Sequence, residues 1–210
     1  MLPALENASF FINSAEAISE TVEFHELNRC SRLEIDLTKF PTPIVPERLT
    51  IRSPHFDLTC SVGSSHSDVF EGKNVLVTLS RDNDLEVIRN WIELHISANK
   101  IDAVLFVDNK SSQYSKEELL QCLSSIEGLK VSYLVDWPHL YGPTGAPNQK
   151  WDSDFGQHQV WEWTRRRFLE KARTVTISDL DELPLTESGA PVGDVALKTE
   201  SGVFPTRCVL

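Results

Sequence analysis

Two aspartates one residue apart, Asp179 and Asp181, follow a short β-branched apolar run at residues 175–177. Such a run is typical of a buried parallel strand, and open α/β sheets bind their ligands at the carboxyl ends of these strands. Two carboxylates there supply hard oxygen ligands for Mg²⁺ or Mn²⁺, and the cation can bridge to phosphate oxygens that carboxylates alone would repel. Because Asp also favours turns, an acidic turn after a strand is the alternative interpretation.

The charge balance limits the classes of partner. The chain has 210 residues, which is enough for one α/β domain plus an appendage, and its formal net charge is -11. An acidic chain without a basic stripe cannot replace the counterions of a nucleic acid, so we expect no nucleic-acid partner. To bind an anionic nucleotide it needs local devices, such as a metal ion, an arginine or a helix N-terminus.

Cysteine usage and hydropathy predict the compartment. The four cysteines, Cys30, Cys60, Cys122 and Cys208, are scattered and form no Cys-x-x-Cys pair, as expected of reduced thiols. Residues 1–7 lack the basic and apolar regions of a secretory signal. No apolar run approaches the roughly 20 residues of a membrane span. We therefore expect a cytoplasmic protein without an integral membrane segment.

Residues 1–70 predict a small, irregular, β-rich N-terminal region. Residues 33–37 and 56–62 alternate apolar and polar side chains, as half-buried strands do, and prolines separate them. A loop is expected at residues 63–67. This region can contribute to substrate binding or can only cover the main domain, and the sequence does not decide between the two.

Residues 71–210 predict an α/β domain with a mostly parallel sheet and flanking helices. Apolar strands are expected at residues 74–79, 103–107 and 131–135, with a fourth before Asp179 and a further one around 194–197. Helix starts are marked by Asn83 with Glu86, Ser115 with Glu118 and Asp154 with Gln157. Successive β-α-β units with short connections give parallel strands with right-handed crossovers. The Pro- and Gly-rich residues 137–149 are a candidate lid or binding loop.

Three strand-end motifs carry a family resemblance. Thr-Leu-Ser-Arg-Asp-Asn occupies residues 78–83, Val-Asp-Asn-Lys-Ser-Ser occupies 107–112, and Asp-Leu-Asp-Glu-Leu occupies 179–183. With the helix sequence at 84–95, they resemble nucleotide-sugar glycosyltransferases of the GT-A fold, particularly the family 2 type. The resemblance covers roughly residues 73–185 and implies a Rossmann-like, nucleotide-sugar-binding domain.

The resemblance also implies roles for individual residues. Asp108, with Asn109 beside it, would contact the nucleoside, and Ser80 and Arg81 would line the nucleotide cleft. Asp179 would lie near the ribose and the metal. Asp108 can instead begin a turn with Asn109, and Arg81 can be a solvated residue at a helix start.

In the family, Asp181 would bind a divalent ion, Mn²⁺ or Mg²⁺, held by the donor diphosphate. The implied reaction moves a sugar from a nucleoside-diphosphate donor to an acceptor hydroxyl of a glycan or another molecule, with the metal as Lewis acid. The chain has 28 residues after Glu182, fewer than the acceptor-binding half of the family usually needs. We therefore expect a fragment, a minimal or degenerate member, or a chain completed by a partner, and no catalytic base is assigned.

Two other functions fit parts of the pattern. A degenerate member would be a non-catalytic nucleotide-binding module of the same fold. A haloacid-dehalogenase-like phosphatase also uses Asp-x-Asp at a strand end, with Asp179 as nucleophile, but Leu183 stands where that pattern requires Thr or Val. Basic residues 165–167 point to different faces of a helix, so a solvated basic surface is expected there rather than a diphosphate clamp.

Overall fold

The chain folds into two units. The computed structural model describes residues 5–27, 30–142 and 154–203, and divides the chain into Met1–Ser64 and Ser65–Leu210. The boundary lies after Ser64 rather than after residue 70, because the intervening residues pack into the second unit. Phe70 is fully buried in that unit's core, and the backbone amide of His66 donates to the carbonyl of Arg167 at 2.8 Å.

The first unit is built from antiparallel strands, as the alternating pattern predicts. A four-stranded sheet has the order β2-β1-β5-β6, and β3 pairs with β4 as a separate hairpin. The strand predicted at 33–37 ends earlier because the Asp36 side chain accepts a hydrogen bond from the Thr38 amide (3.0 Å) and starts a 3-10 turn. The strands are β1 Ser9–Ile12, β2 Ala15–Ala17, β3 Val22–Leu27, β4 Cys30–Ile35, β5 Arg48–Arg52 and β6 Asp57–Ser61.

The second unit is a four-stranded parallel sheet with helices, which confirms the predicted α/β class. The sheet order is β10-β7-β8-β9, and all three pairings are parallel. The elements are β7 Asn74–Ser80, α1 Leu85–Asn99, β8 Ala103–Asp108, α2 Lys116–Ser124, β9 Val131–Asp136, α3 Asp154–Arg167, β10 Thr174–Ile177 and α4 Val192–Ala196.

Apolar layers cover both faces of the sheet, which explains the continuous apolar runs of β7 and β8. On one face Val75 and Val77 pack in a cluster with Phe168 near the end of α3. On the other, Leu76 packs with Ile88 and Ile92 of α1. Two central strands buried on both faces thus form a rigid base for the loops at their ends.

A buried strand was predicted before Asp179, but half of the side chains of this strand, β10, are exposed. Val175 is 40% exposed and Ile177 is 49% exposed, because β10 is the edge strand of the sheet. The buried side chains of β10 are Thr174 and Thr176. Strand length and composition did not distinguish an edge strand from a central one.

Several local predictions need correction. Helix α1 is capped by Asp84, which accepts from the Glu86 amide at 2.7 Å, and not by Asn83. Residues 194–197 are not a strand, since they fall largely in α4, which Pro191 precedes as the N-cap residue. The capping box of Ser115 with Glu118 and the start of α3 at residue 154 are as predicted. Residues 143–149 of the candidate lid lie outside the described residues.

Candidate functional site

The candidate site lies at the carboxyl edge of the parallel sheet. Ser80 and Asp108 are register partners at the ends of β7 and β8, and the Ser178 amide, just beyond β10, donates to the Val77 carbonyl at 3.2 Å. Asp179 therefore lies at the same edge, two strands from Asp108, which corresponds to roughly 10 Å at the usual strand spacing. The chain order reverses between β7 and β10, and ligands of open α/β sheets bind at such a switch point.

The two aspartates of the motif have different environments. Asp179 is half-buried, and its Oδ1 accepts a hydrogen bond from Gln157 Nε2 of α3 at 2.9 Å. Its backbone amide donates to Glu182 Oε2 at 3.3 Å. Asp181 is exposed, and no hydrogen bond or ion pair engages its carboxylate within the part of the chain that the structure describes. One carboxylate is thus held in place, and the other can bind a ligand.

The turn that carries the motif is anchored through one backbone carbonyl. The carbonyl oxygen of Glu182 accepts from Trp91 Nε1 at 3.0 Å and from Ser178 Oγ at 3.0 Å. It also lies 3.3 Å from His95 Nε2. Since a carbonyl only accepts, Nε2 of His95 carries the hydrogen. Burial lowers the pKa of His95 to about 4, against the opposing effect of this hydrogen bond, so the imidazole is neutral at pH 7.

Helix α1 also holds the segment after the motif. Asn99 Nδ2 donates to the Pro184 carbonyl at 3.0 Å, and Asn99 Oδ1 accepts from the Val192 amide at 3.1 Å. Trp91, His95 and Asn99 are spaced by four residues and share one helix face. None of the three was linked to the motif from the sequence. The four-residue spacing was the available signal, although their partners could not be known before the fold.

The loops after β7 and β8 are joined by Asp82. Its carboxylate accepts from the Ser112 amide at 2.5 Å and from the Gln113 amide at 3.2 Å. The Ser112 bond is the main cause that holds the Asp82 pKa below its usual range. Asp82 has a φ of 54°, in the left-handed region that Asp tolerates better than most residues. These bonds fix the backbone on both sides of the expected nucleotide cleft.

Ser80 and Arg81 differ in accessibility. Ser80 is buried, and its Oγ accepts from Asn83 Nδ2 at 2.9 Å. The Arg81 side chain is 63% exposed, with its Nε 3.5 Å from Asp82 Oδ2. Of these two, Arg81 is the side chain that can reach a ligand directly, whereas Ser80 shapes the loop.

Asp108 and Asn109 both make contacts within the fold. Asp108 Oδ1 accepts from Ser111 Oγ at 2.5 Å and its Oδ2 accepts from the Ser111 amide at 3.1 Å, as in the turn interpretation. Asn109 is buried, and its Nδ2 donates to the carbonyls of Trp137 and His139, both at 2.8 Å. Asn109 thus joins the loop after β8 to the segment after β9. Nucleotide contacts by either side chain stay predictions.

The three arginines at the end of α3 lie on its surface. Arg165 pairs with Glu162 at 2.9 Å, and Arg166 is 3.8 Å from Glu170. The Arg167 guanidinium lies over the Trp163 ring, 5.6 Å from its centroid. Their contacts are within or next to their own helix, as expected of a solvated basic surface.

A separate group of metal-ligating side chains lies in the first unit. Among the described residues, Glu23, His25 and Glu34 form the one group of three such side chains with donor atoms within 4.8 Å of one another. No local sequence pattern marks this group, because the cross-strand register that brings Glu34 to the other two is a property of the folded hairpin.

Comparison of the chain with protein-family models finds no match, and comparisons with curated proteins and with solved structures find none either. Among the described residues, no helix is both long and apolar enough to cross a membrane.

Proposed function

We propose that the second unit binds a nucleoside-diphosphate sugar at the carboxyl edge of its sheet and transfers the sugar to an acceptor hydroxyl. The observation that supports this most is the pairing of a held carboxylate, Asp179, with an exposed and unengaged one, Asp181, next to the β7/β10 switch point. Acidic side chains at such a point need a cation or hydroxyl groups as partners.

The donor chemistry of the motif fits a divalent cation. Asp179 and Asp181 offer carboxylate oxygens, the ligands that Mg²⁺ and Mn²⁺ prefer, and they belong to no group of three converging donors among the described residues. Diphosphate oxygens and water would complete the coordination, as is usual for Mg²⁺. A bound ion would supply positive charge that stabilises the departing diphosphate.

The remaining residues position these carboxylates and the nucleotide. Gln157 sets the orientation of Asp179, and Trp91 and His95 hold the turn through the Glu182 carbonyl. Arg81 is exposed at the end of β7, where its guanidinium can meet a phosphate or a base. A rigid edge with one oriented and one accessible carboxylate suits a ligand that must be held while its leaving group departs.

Calorimetric titration with UDP-, GDP- and CMP-linked sugars, with and without Mn²⁺, tests the binding. We expect one class to bind only with the metal, and Asp181→Asn to weaken that binding at least tenfold while thermal unfolding stays unchanged. Glu187→Gln, at an exposed carboxylate of the segment that follows, is the matched control and should bind as the parent does. Equal binding by the Asp181 variant would show that this residue is an acidic turn residue.

Product analysis separates the enzyme from the non-catalytic alternative. We expect donor binding to be easier to detect than transfer, with slow hydrolysis of the donor when water replaces the acceptor. Metal-dependent binding without hydrolysis or transfer would identify a nucleotide-binding module. Release of phosphate from a simple phosphate ester, lost in Asp179→Asn, would instead support the phosphatase interpretation.

A further inference from the structure

The hairpin of β3 and β4 has one apolar face and one charged face. Its apolar side chains pack against the core of the first unit and are Val22, Phe24, Leu33 and Ile35. Because side chains alternate along an antiparallel ladder, the opposite face carries Glu23, His25, Arg32 and Glu34. Four ionisable groups therefore share a small area of one sheet face.

The ladder places two carboxylates directly opposite each other. Glu23 and Glu34 are register partners, and like charges in that arrangement destabilise a strand pair. His25 follows on the same face, with its Nε2 3.5 Å from Glu23 Oε1 and 3.5 Å from Glu34 Oε2. A cation between the three groups would remove the repulsion.

The imidazole nitrogen between the carboxylates is unsatisfied. His25 Nε2 is buried and makes no hydrogen bond, although two carboxylate oxygens lie near it. The separation of 3.5 Å is long for a hydrogen bond, whose usual length is about 2.9 Å. It is close to the ligand–ligand distance of about 3.3 Å in a tetrahedral zinc site with bonds of about 2.05 Å. The two separations from His25 are thus compatible with a bound zinc ion, and all three donor atoms lie within 4.8 Å of one another.

Arg32 forms an ion pair with one of the two carboxylates. Its Nε lies 2.7 Å from Glu34 Oε1, and the other oxygen of Glu34 faces His25. The Arg32 side chain is 18% exposed and the Glu34 side chain is 41% exposed, so this ion pair is partly shielded from solvent.

We propose that Glu23, His25 and Glu34 bind one Zn²⁺ ion, with a fourth position open to water or another ligand. An imidazole with two carboxylates suits zinc, whereas Mg²⁺ prefers oxygen ligands alone. The site is separate from the Asp-x-Asp motif and does not depend on the proposed glycosyltransferase activity.

Titration of the metal-free full-length protein with ZnCl₂ in a calorimeter tests the proposal. We expect one equivalent to bind, and excess Mg²⁺ not to compete. His25→Gln and Glu34→Gln should each weaken binding at least tenfold. His55→Gln, at an exposed histidine of the same unit, and Glu187→Gln, at an exposed carboxylate outside both proposed sites, are the controls and should bind zinc as the parent does.

The decisive variant is Glu23→Gln, because this side chain is 71% exposed and its loss cannot unfold the hairpin through packing. It should also weaken zinc binding at least tenfold, with an unchanged thermal transition. The proposal is overturned if the parent does not bind zinc, or if the three site variants bind it as tightly as the two controls.

Discussion

Lowering the pH from 7 to 5 should destabilise the second unit through His95. This side chain is fully buried, and burial lowers its pKa from the ordinary value of 6.5 to about 4. The unfolded chain therefore takes up a proton at a pH where the folded chain does not. The part of the free energy of unfolding that depends on His95 is fully present above pH 6.5. It is lost as the pH falls towards 4.

The size of the effect follows from the two pKa values. Proton linkage with 6.5 in the unfolded chain and about 4 in the folded chain predicts a loss of about 2 kcal/mol between pH 7 and pH 5. Most carboxylates stay ionised in this window, so His95 should dominate the change. A loss of that size is a large fraction of the stability of an ordinary domain.

Urea unfolding at several pH values, followed by tryptophan fluorescence, measures this loss. All five tryptophans belong to the second unit, and the Trp91 ring lies 4.8 Å from the His95 ring, so the signal reports on the relevant core. His95→Gln retains an N–H donor for the Glu182 carbonyl but does not titrate. It should remove most of the slope between pH 7 and pH 5.

The exposed His55 provides the matched control, since His55→Gln removes the same titratable group from a solvated position. This variant should keep the parent's pH dependence. If His95→Gln keeps it as well, the buried imidazole is not the cause, and the argument from burial is refuted.

Three substitutions test the local structure of the second unit. Asn99→Ala removes two buried hydrogen bonds and should lower the free energy of unfolding by about 2–4 kcal/mol. The control Asn90→Ala, on the exposed side of the same helix, should change the free energy of unfolding by less than about 0.5 kcal/mol. Ser115→Ala breaks the capping box with Glu118 and should cost about 1 kcal/mol in the same urea titration. Gly156→Ala would bring a Cβ into the backbone carbonyl oxygen of Tyr141, so we expect a loss of about 1–3 kcal/mol and a lower thermal transition. Unchanged stability of the Asn99 and Gly156 variants would contradict the contacts of Asn99 with Pro184 and of Gly156 with Tyr141.

Much of the second unit was predictable from local sequence. The apolar runs of β7 and β8 are buried on both faces, and this makes them recognisable without knowledge of their neighbours. The capping box at Ser115 is also a local signal, because its partner lies three residues away. From β-α-β order alone, the motif at Asp179 could be placed at the same edge as Ser80 and Asp108.

Other features were decided by tertiary structure. The sequence of β10 resembles a buried strand, but the sheet order puts it at the edge and exposes Val175 and Ile177. The anchoring of Glu182 by α1 joins residues about 90 positions apart, and no local pattern specifies such a pair. Likewise, Glu34 reaches His25 only through the register of a hairpin. Local sequence encodes backbone preference and burial pattern, which depend on near neighbours, whereas contacts between distant side chains depend on how the elements pack.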